Sequence, residues 1–393
     1  MEVKANKLHF FIVGYFGMRN TGDDAMLYGL LTHMGKAFPK ATFNVIAARP
    51  IIIPESVANK VSVSITSHPI SYILKTLREI SRCNVILNVL GSSLHGYKGN
   101  KRYIRTLGWH MVIVLCARIL RKLVYMVNIG IGPLPVWWSR IMTTVILKAS
   151  HLITVRDMDS YYLARRLGVR TDMLHLSFDL SVLIPEAEQK HSRSTQDGIN
   201  ILGISILPYH SIYERDPTGD LHLVQEMAKV LNRWLRENNS RRLKIFIFRG
   251  LSKEDDCSIA HCLAHLIRLP QVEVVPYNPD PNCTLAEVKK CDAFVSMKLH
   301  SAIFAYLAEL PQLVVTYLPK CLSFAKEIGM QEIAMISIEE ILQGKFFDML
   351  SKLVDSSNLY MPSLTLKDSI TRTHSGLNYI KQDILTRCSL LRT

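Results

Sequence analysis

The chain has no Cys-x-x-Cys pair, no His-Glu-x-x-His and no paired ligand spacing among its fourteen histidines. These absences argue against a zinc site or a thiol redox motif, and no metal is expected. Its eight cysteines, at 83, 116, 257, 262, 283, 291, 321 and 388, mostly fall inside apolar segments. They read as reduced core thiols of a cytosolic protein, not as a disulfide framework. There is also no uninterrupted apolar run of roughly 20 residues, the length needed to span a bilayer. The nearest candidate, His110 to Pro133, is broken by Arg118, Arg121 and Lys122, and splitting it there gives a buried helix followed by a strand. Met1 to Lys7 carries charge of both signs, and Leu8 to Val13 is too short for a signal-peptide core, so a cytoplasmic location is expected.

Acidic residues are the scarcer charge, 33 Asp and Glu against 47 Lys and Arg, a formal net charge of +14. Such an excess favours anionic partners: phosphorylated metabolites, acidic glycans or a membrane surface at the inner face. Nucleic acid is not expected, because no aromatic-interleaved basic stripe, zinc-finger spacing or RNA-recognition signature is present, and the positive charge reads as scattered. Apolar residues make up 48% and charged residues 20%, which excludes global disorder.

What is present is a long alternation of short apolar strands and amphipathic helices, in a chain of 393 residues that is too long for one core. Strands are read at Leu8 to Val13, Thr42 to Ala47, Val61 to Ile65, Asn84 to Leu90, Leu123 to Val127 and Leu152 to Val155. Pro185 to Gly198 is polar, aperiodic and ended by glycine, and reads as a linker. A second alternating series then starts at Ile199. The expected organisation is a first α/β domain over 1–184, a linker over 185–198, a second domain over 199–350, and a partly helical tail over 351–393. Both domains read as doubly wound and Rossmann-like, facing one another across a cleft.

The stretch from Cys291 to Met330 carries the densest chemistry. A short strand, Ala293 to Ser296, turns into a helix marked by Leu299, Ile303, Leu307 and Leu310, which Pro311 ends. Lys298 and His300 stand at that junction, where unpaired backbone N–H groups and the helix dipole favour an anion. A lysine, an imidazole and a helix N-terminus together suit a phosphate or carboxylate, and the imidazole can exchange a proton near neutral pH. The alternative is a solvated Lys298 and a His300 that only caps the turn. A second helix is read from Ser323 to Ile328.

In the first domain, Gly14, Gly17 and Gly22 let the chain bend sharply after the first strand. The spacing is not G-x-G-x-x-G, and Asp23 stands where a P-loop needs lysine. Asp23 and Asp24 suit either helix capping or sugar hydroxyls, with Asn20 and Asp23 facing an acceptor in the second case. Gly91-Ser92-Ser93 forms a small-residue loop at the end of the fourth strand, with Lys98, Lys101 and Arg102 beyond it. Arg156 follows another strand; it either pairs with Asp157 or grips a carboxylate or phosphate.

From Leu8 to Met330 the chain resembles the polysaccharide pyruvyl transferases. The resemblance rests on G-Y-F-G-M-R-N-T-G-D-D-A from Gly14, N-I-G-I-G-P from Asn128, I-T-V-R-D from Ile153, G-I-S from Gly203, M-K-L-H-S-A-I-F-A from Met297 and T-Y-L-P-K from Thr316. It implies a GT-B-like fold and transfer from phosphoenolpyruvate to a sugar of an exopolysaccharide or cell-surface glycan, forming a pyruvyl ketal and releasing phosphate, with no cofactor. The family's R-L-H falls on Lys298, Leu299 and His300. With Arg156 and Lys320 these would bind the donor, and His300 would be the catalytic proton donor. Gly17, Asn20, Asp23, Gly91 and Ser92 would form the acceptor side. The acceptor would be a glycan or a lipid-linked oligosaccharide, with peripheral membrane association.

The chain departs from the family pattern at Lys298 for arginine, Leu207 for arginine, Leu318 for aspartate, and a shortened glycine run at Gly91-Ser92-Ser93. Two other readings follow: a GT-B glycosyltransferase that uses a nucleotide sugar, or a catalytically degenerate scaffold in polysaccharide assembly.

Overall fold

The computed structural model describes residues 8–91, 93–96, 101–188, 199–250 and 256–390. The chain divides into two compact units. The first comprises residues 1–18, 23–183 and 367–393, and the second residues 19–22 and 184–366. The expected boundary at 184/185 lies within a residue or two of this division. The chain following Leu350, however, belongs to the second unit as far as Leu366 and to the first from Lys367 onwards. The expected linker begins with a short helix, Pro185–Glu188, and residues 189–198 lie outside the described residues.

The first unit runs β1 (His9–Gly14), α1 (Thr21–Ala37), β2 (Thr42–Ala47), β3 (Val61–Ile65), α2 (Pro69–Arg82), β4 (Val85–Val89), α3 (Lys101–Ile119), β5 (Leu123–Ile129), α4 (Trp137–Lys148), β6 (Leu152–Val155), α5 (Met158–Arg166) and β7 (Leu174–Leu176). Its sheet has the order β3-β2-β1-β4-β5-β6-β7, and every pairing is parallel. The runs FFIV, VILNV and LVYMVNI are buried on both faces, as a parallel sheet covered by helices requires.

The second unit continues with α6 (Pro185–Glu188), β8 (Ile201–Ser205), α7 (Pro217–Arg236), β9 (Arg242–Phe246), α8 (Cys257–Ile267), β10 (Val272–Val275), α9 (Pro281–Val288), β11 (Ala293–Ser296), α10 (Leu299–Leu307), β12 (Gln312–Val315), α11 (Pro319–Glu327), β13 (Met335–Ile336), α12 (Ile338–Leu342) and α13 (Phe346–Asp355). Its sheet, ordered β10-β9-β8-β11-β12-β13, is again wholly parallel. The helix expected from Ser323 starts four residues earlier, because Pro319 sits at its first position with its φ already preset. The last helix, α14 (Leu366–Leu390), belongs to the first unit from Lys367 on, where the Tyr125 hydroxyl donates to Asp383 at 2.7 Å.

Each sheet reverses its strand order at one place, between β1 and β4 in the first and between β8 and β11 in the second. Ligands of open α/β sheets bind beyond the carboxyl ends of the strands at such a reversal. The turns Gly14–Gly22 and Ser296–His300 stand at these two positions.

Candidate active site

In the second unit, two serines fix the turn after β11. The Ser301 hydroxyl accepts the Lys298 N–H at 3.1 Å and donates to the Lys298 carbonyl at 2.8 Å. Ser205, at the end of β8, donates to Ser301 and accepts the Met297 N–H. The turn is therefore capped by Ser301 and not by His300, and it is tied across the reversal point.

Lys298 is neither solvated nor aimed at open space. Its Nζ lies 2.7 and 2.8 Å from the two carboxylate oxygens of Asp256. Asp256 is fully buried, and one of its oxygens also accepts the backbone N–H groups of Phe248 and Arg249, at 3.2 and 2.9 Å. Burial pushes the Asp256 carboxyl up, while Lys298, the Arg249 N–H and the Arg249 charge pull the other way. Lys298 thus holds the loop after β9 against the turn after β11. Sequence reasoning missed Asp256, because a pairing 42 positions away leaves no periodic trace.

His300 is the second residue of α10, half-buried, with its ring laid against the backbone of Gly22. A Cβ added at Gly22 would lie 2.0 Å from the ring, so only glycine admits the imidazole there. The Gly22 backbone is itself anchored within this unit. The Thr21 N–H and hydroxyl donate to the Phe248 carbonyl at 3.0 and 3.1 Å, the Gly250 N–H donates to Arg19, and the Gly22 N–H donates to the Asn20 side chain. One connected network therefore runs from Asn20 and Gly22 through the loop after β9 to Asp256, Lys298 and His300.

Leu299 is buried in the core, so it offers a ligand only its backbone. Lys320 is half-buried in the first turn of the neighbouring helix α11. Leu207 is buried and Leu318 is the N-cap of α11 without a side-chain cap bond. Beside them, Tyr209, Tyr213 and Tyr317 cluster with ring centroids 5.4 to 6.2 Å apart. Burial pushes the Tyr317 phenol far up, so it stays a hydrogen-bonding hydroxyl at neutral pH. This cluster was not foreseen either, since Tyr317 lies over a hundred positions from Tyr209 and Tyr213.

In the first unit, Arg156 is buried at the end of β6. Its Nη1 lies 3.0 Å from Asp179, and its Nε lies 3.7 Å from Asp157, whose carboxylate mainly caps α5. The guanidinium lies flat against Gly130, where an added Cβ would come within 3.0 Å of it. The Gly130 N–H in turn donates to the Gly91 carbonyl at 2.7 Å. Gly91 takes a left-handed φ of 52°, and Asp23 Oδ1 lies 3.5 Å from where its Cβ would be. Gly17 is also left-handed, with φ 68°, and donates to Asp24 at 3.3 Å. Gly17, Asp23, Gly91 and Arg156 thus stand at the carboxyl edge of one sheet. Ser92 lies outside the described residues, as does Lys98. Among the described residues no group of three His, Cys, Asp or Glu side chains could hold a metal ion.

Residues 20–319 match the family model for polysaccharide pyruvyl transferase. The chain belongs to that family. The match opens at Asn20, spans Arg156 and the Lys298–His300 turn, and ends at Pro319, one residue before Lys320.

Among solved structures, S. aureus MnaA with UDP is 12% identical, with 96% of this chain and 97% of that one aligned at a TM-score of 0.64. The UDP-GlcNAc 2-epimerase of Neisseria meningitidis bound to UDP-GlcNAc is 10% identical over 99% and 100%, at 0.62. Anabaena HepE in complex with UDP and glucose is 10% identical over 98% and 100%, at 0.56. These likenesses show the fold: two parallel-sheet α/β domains of GT-B type. No curated protein matches the chain.

Proposed function

We propose that this family member transfers the enolpyruvyl group of phosphoenolpyruvate to two hydroxyls of one sugar in a surface or exported glycan, leaving a cyclic ketal and free phosphate. Of the two hydroxyl hydrogens, one ends on the donor's methylene carbon, which becomes methyl, and the other leaves with phosphate. Protonation of the methylene makes C2 electrophilic; two C–O bonds to the sugar then form there as the C–O bond to phosphate breaks.

The observation that carries this reading is His300. It is an imidazole at the N-terminus of α10, on the reversal point of the second sheet, held there by a glycine that admits nothing larger. A neutral or protonated imidazole there serves as proton donor or as partner to the leaving phosphate. The N–H groups opening α10, with Lys320 on α11, supply the positive potential for a doubly anionic donor. Lys298 keeps this turn in place through Asp256.

The nucleotide-sugar reading has one observation in its favour, the tyrosine cluster at the same edge of the second sheet, which would stack a base or a sugar ring. Thermal-shift titration separates the two. Stabilisation by phosphoenolpyruvate and not by UDP supports pyruvyl transfer; the reverse order favours the glycosyltransferase. The scaffold reading loses its motive at Lys298, because lysine there is matched by a buried carboxylate.

A further inference from the structure

Helix α2 is amphipathic with its apolar stripe turned outwards. Ile70, Ile73, Leu74 and Leu77 recur at i, i+3, i+4 and i+7 and are all exposed, Leu74 at 62%. The opposite side of the helix, with Thr76 and Ile80, is the one that is fully buried. Helix α3 repeats the arrangement: Leu107, Ile113 and Val114 face the core, while Ile104, Val112, Leu115 and Ile119 face out, Ile119 at 79%. On α4, Trp137 is 73% exposed, with Ile141 one turn on.

These helices form one layer. Ile80 of α2, Leu107 of α3 and Ile146 of α4 enter the same core cluster, and the Tyr72 and Trp109 rings meet at 6.1 Å between α2 and α3. Their outward apolar residues therefore share one face of the first unit, and exposed apolar residues gathered on one face mark an interaction surface.

The charge around this face decides what covers it. From Pro69 to Lys148 there are twelve lysines and arginines and a single acidic residue, Glu79. Glu79 is turned inwards, accepting from Asn44 at 2.6 Å. The exposed Arg78 and Arg82 continue the α2 stripe, Arg105 flanks that of α3, and Arg140 and Lys148 flank Trp137 and Ile141. Most of the chain's net charge thus lies in one stretch, which corrects the impression from sequence that it is scattered. Apart from the pairs Lys101-Arg102 and Arg121-Lys122, the basic residues lie three or more positions apart, which hides the block from a reading that looks for basic runs.

A second copy of the chain meeting this face would bring like charge against like. Nucleic acid offers phosphates but nothing to cover aliphatic side chains. An anionic leaflet offers both, headgroups for the bases and acyl chains for isoleucine, leucine and tryptophan.

We propose that the α2–α3–α4 face of the first unit docks on an anionic membrane surface, with the apolar stripe inserted at the headgroup boundary. This deepens the reading above by placing a lipid-linked acceptor within reach, but the surface argument stands without that chemistry. The test uses the full chain in flotation with vesicles of phosphatidylcholine alone and of phosphatidylcholine mixed with phosphatidylglycerol. Binding to the mixed vesicles only is expected, weakening as salt rises.

Arg78→Glu with Arg82→Glu is expected to weaken binding by roughly fivefold or more for each basic group lost near the leaflet. Leu74→Asp with Ile119→Asp should weaken it by at least about tenfold, since both replace inserted apolar groups. All four positions are exposed, so the thermal transition and turnover of a short soluble acceptor should not change. Failure of the wild-type chain to bind anionic vesicles overturns the proposal, as does binding that both variants retain. A concentration-dependent dimer that Leu74→Asp with Ile119→Asp makes monomeric also overturns it, and assigns the face to a second copy. None of these outcomes bears on phosphate release from phosphoenolpyruvate, so this proposal and the catalytic one fail separately.

Discussion

His300 owes its position to a missing side chain. With the imidazole 2.0 Å from where a Gly22 Cβ would be, Gly22→Ala must push the ring or the turn away. A displacement on the order of 1 Å costs up to about 100-fold in rate. Phosphate release in Gly22→Ala is therefore expected to fall by at least about tenfold, with circular dichroism unchanged. The Lys298–Asp256 pair acts differently. Asp256→Asn leaves an ammonium facing an amide in a site where the carboxylate is fully buried and Lys298 only 17% exposed. Removing one partner of a buried pair costs about 3–5 kcal/mol, and the water that still reaches Lys298 puts the expected loss near about 3 kcal/mol by urea unfolding. Lys298→Met added to Asp256→Asn should recover part of it, a sign that the damage came from the stranded charge.

At the scale of elements, the strand–turn–helix unit around Lys298 was readable because its apolar spacing changes from strand type to helical at one place, but the helix stops at Leu307, with Glu309 left-handed at φ 52°, before Pro311 is reached. The edge strands β7 and β13 were not readable, since three and two residues are too short to show alternation. Helix α2 shows another limit. Its period was visible, but a period does not say which side faces the core, and here Tyr72, Thr76 and Ile80 take that side. Within the site, the turns and His300 could be found from local pattern, whereas Asp256 and Asp179 reach their partners only after the sheets have formed. Helix α14 illustrates the same long reach. The Tyr125 hydroxyl, in the middle of β5, donates to Asp383, which also holds Arg387 at 2.7 Å. A hydrogen bond to a charged group contributes about 1.5–3 kcal/mol, so Tyr125→Phe should lower unfolding stability by that order in urea titration.

For the whole molecule, buried histidines contribute to acid sensitivity. Burial lowers His110 from 6.5 to about 4, and His33 and His151 likewise to about 4. As pH drops below 6.5 the unfolded chain takes up these protons first, so the histidines' contribution to stability declines down to about pH 4 and then levels off. For His110, 9% exposed and shifted by about 2.5 units, the loss approaches about 3 kcal/mol at about 1.4 kcal/mol per unit. His110→Gln should flatten the slope of unfolding stability between pH 6.5 and 4 relative to wild type.

The reaction itself is tested most directly by running it in heavy water with phosphoenolpyruvate and a glycan acceptor, and examining the ketal methyl by mass spectrometry and NMR. Proton delivery to the enol methylene predicts one deuterium per methyl group, one phosphate per ketal, and a rate at least about 100-fold lower in His300→Ala, within the range a general acid contributes. A ketal methyl without deuterium, or a His300→Ala variant that turns over at the wild-type rate, would contradict the account.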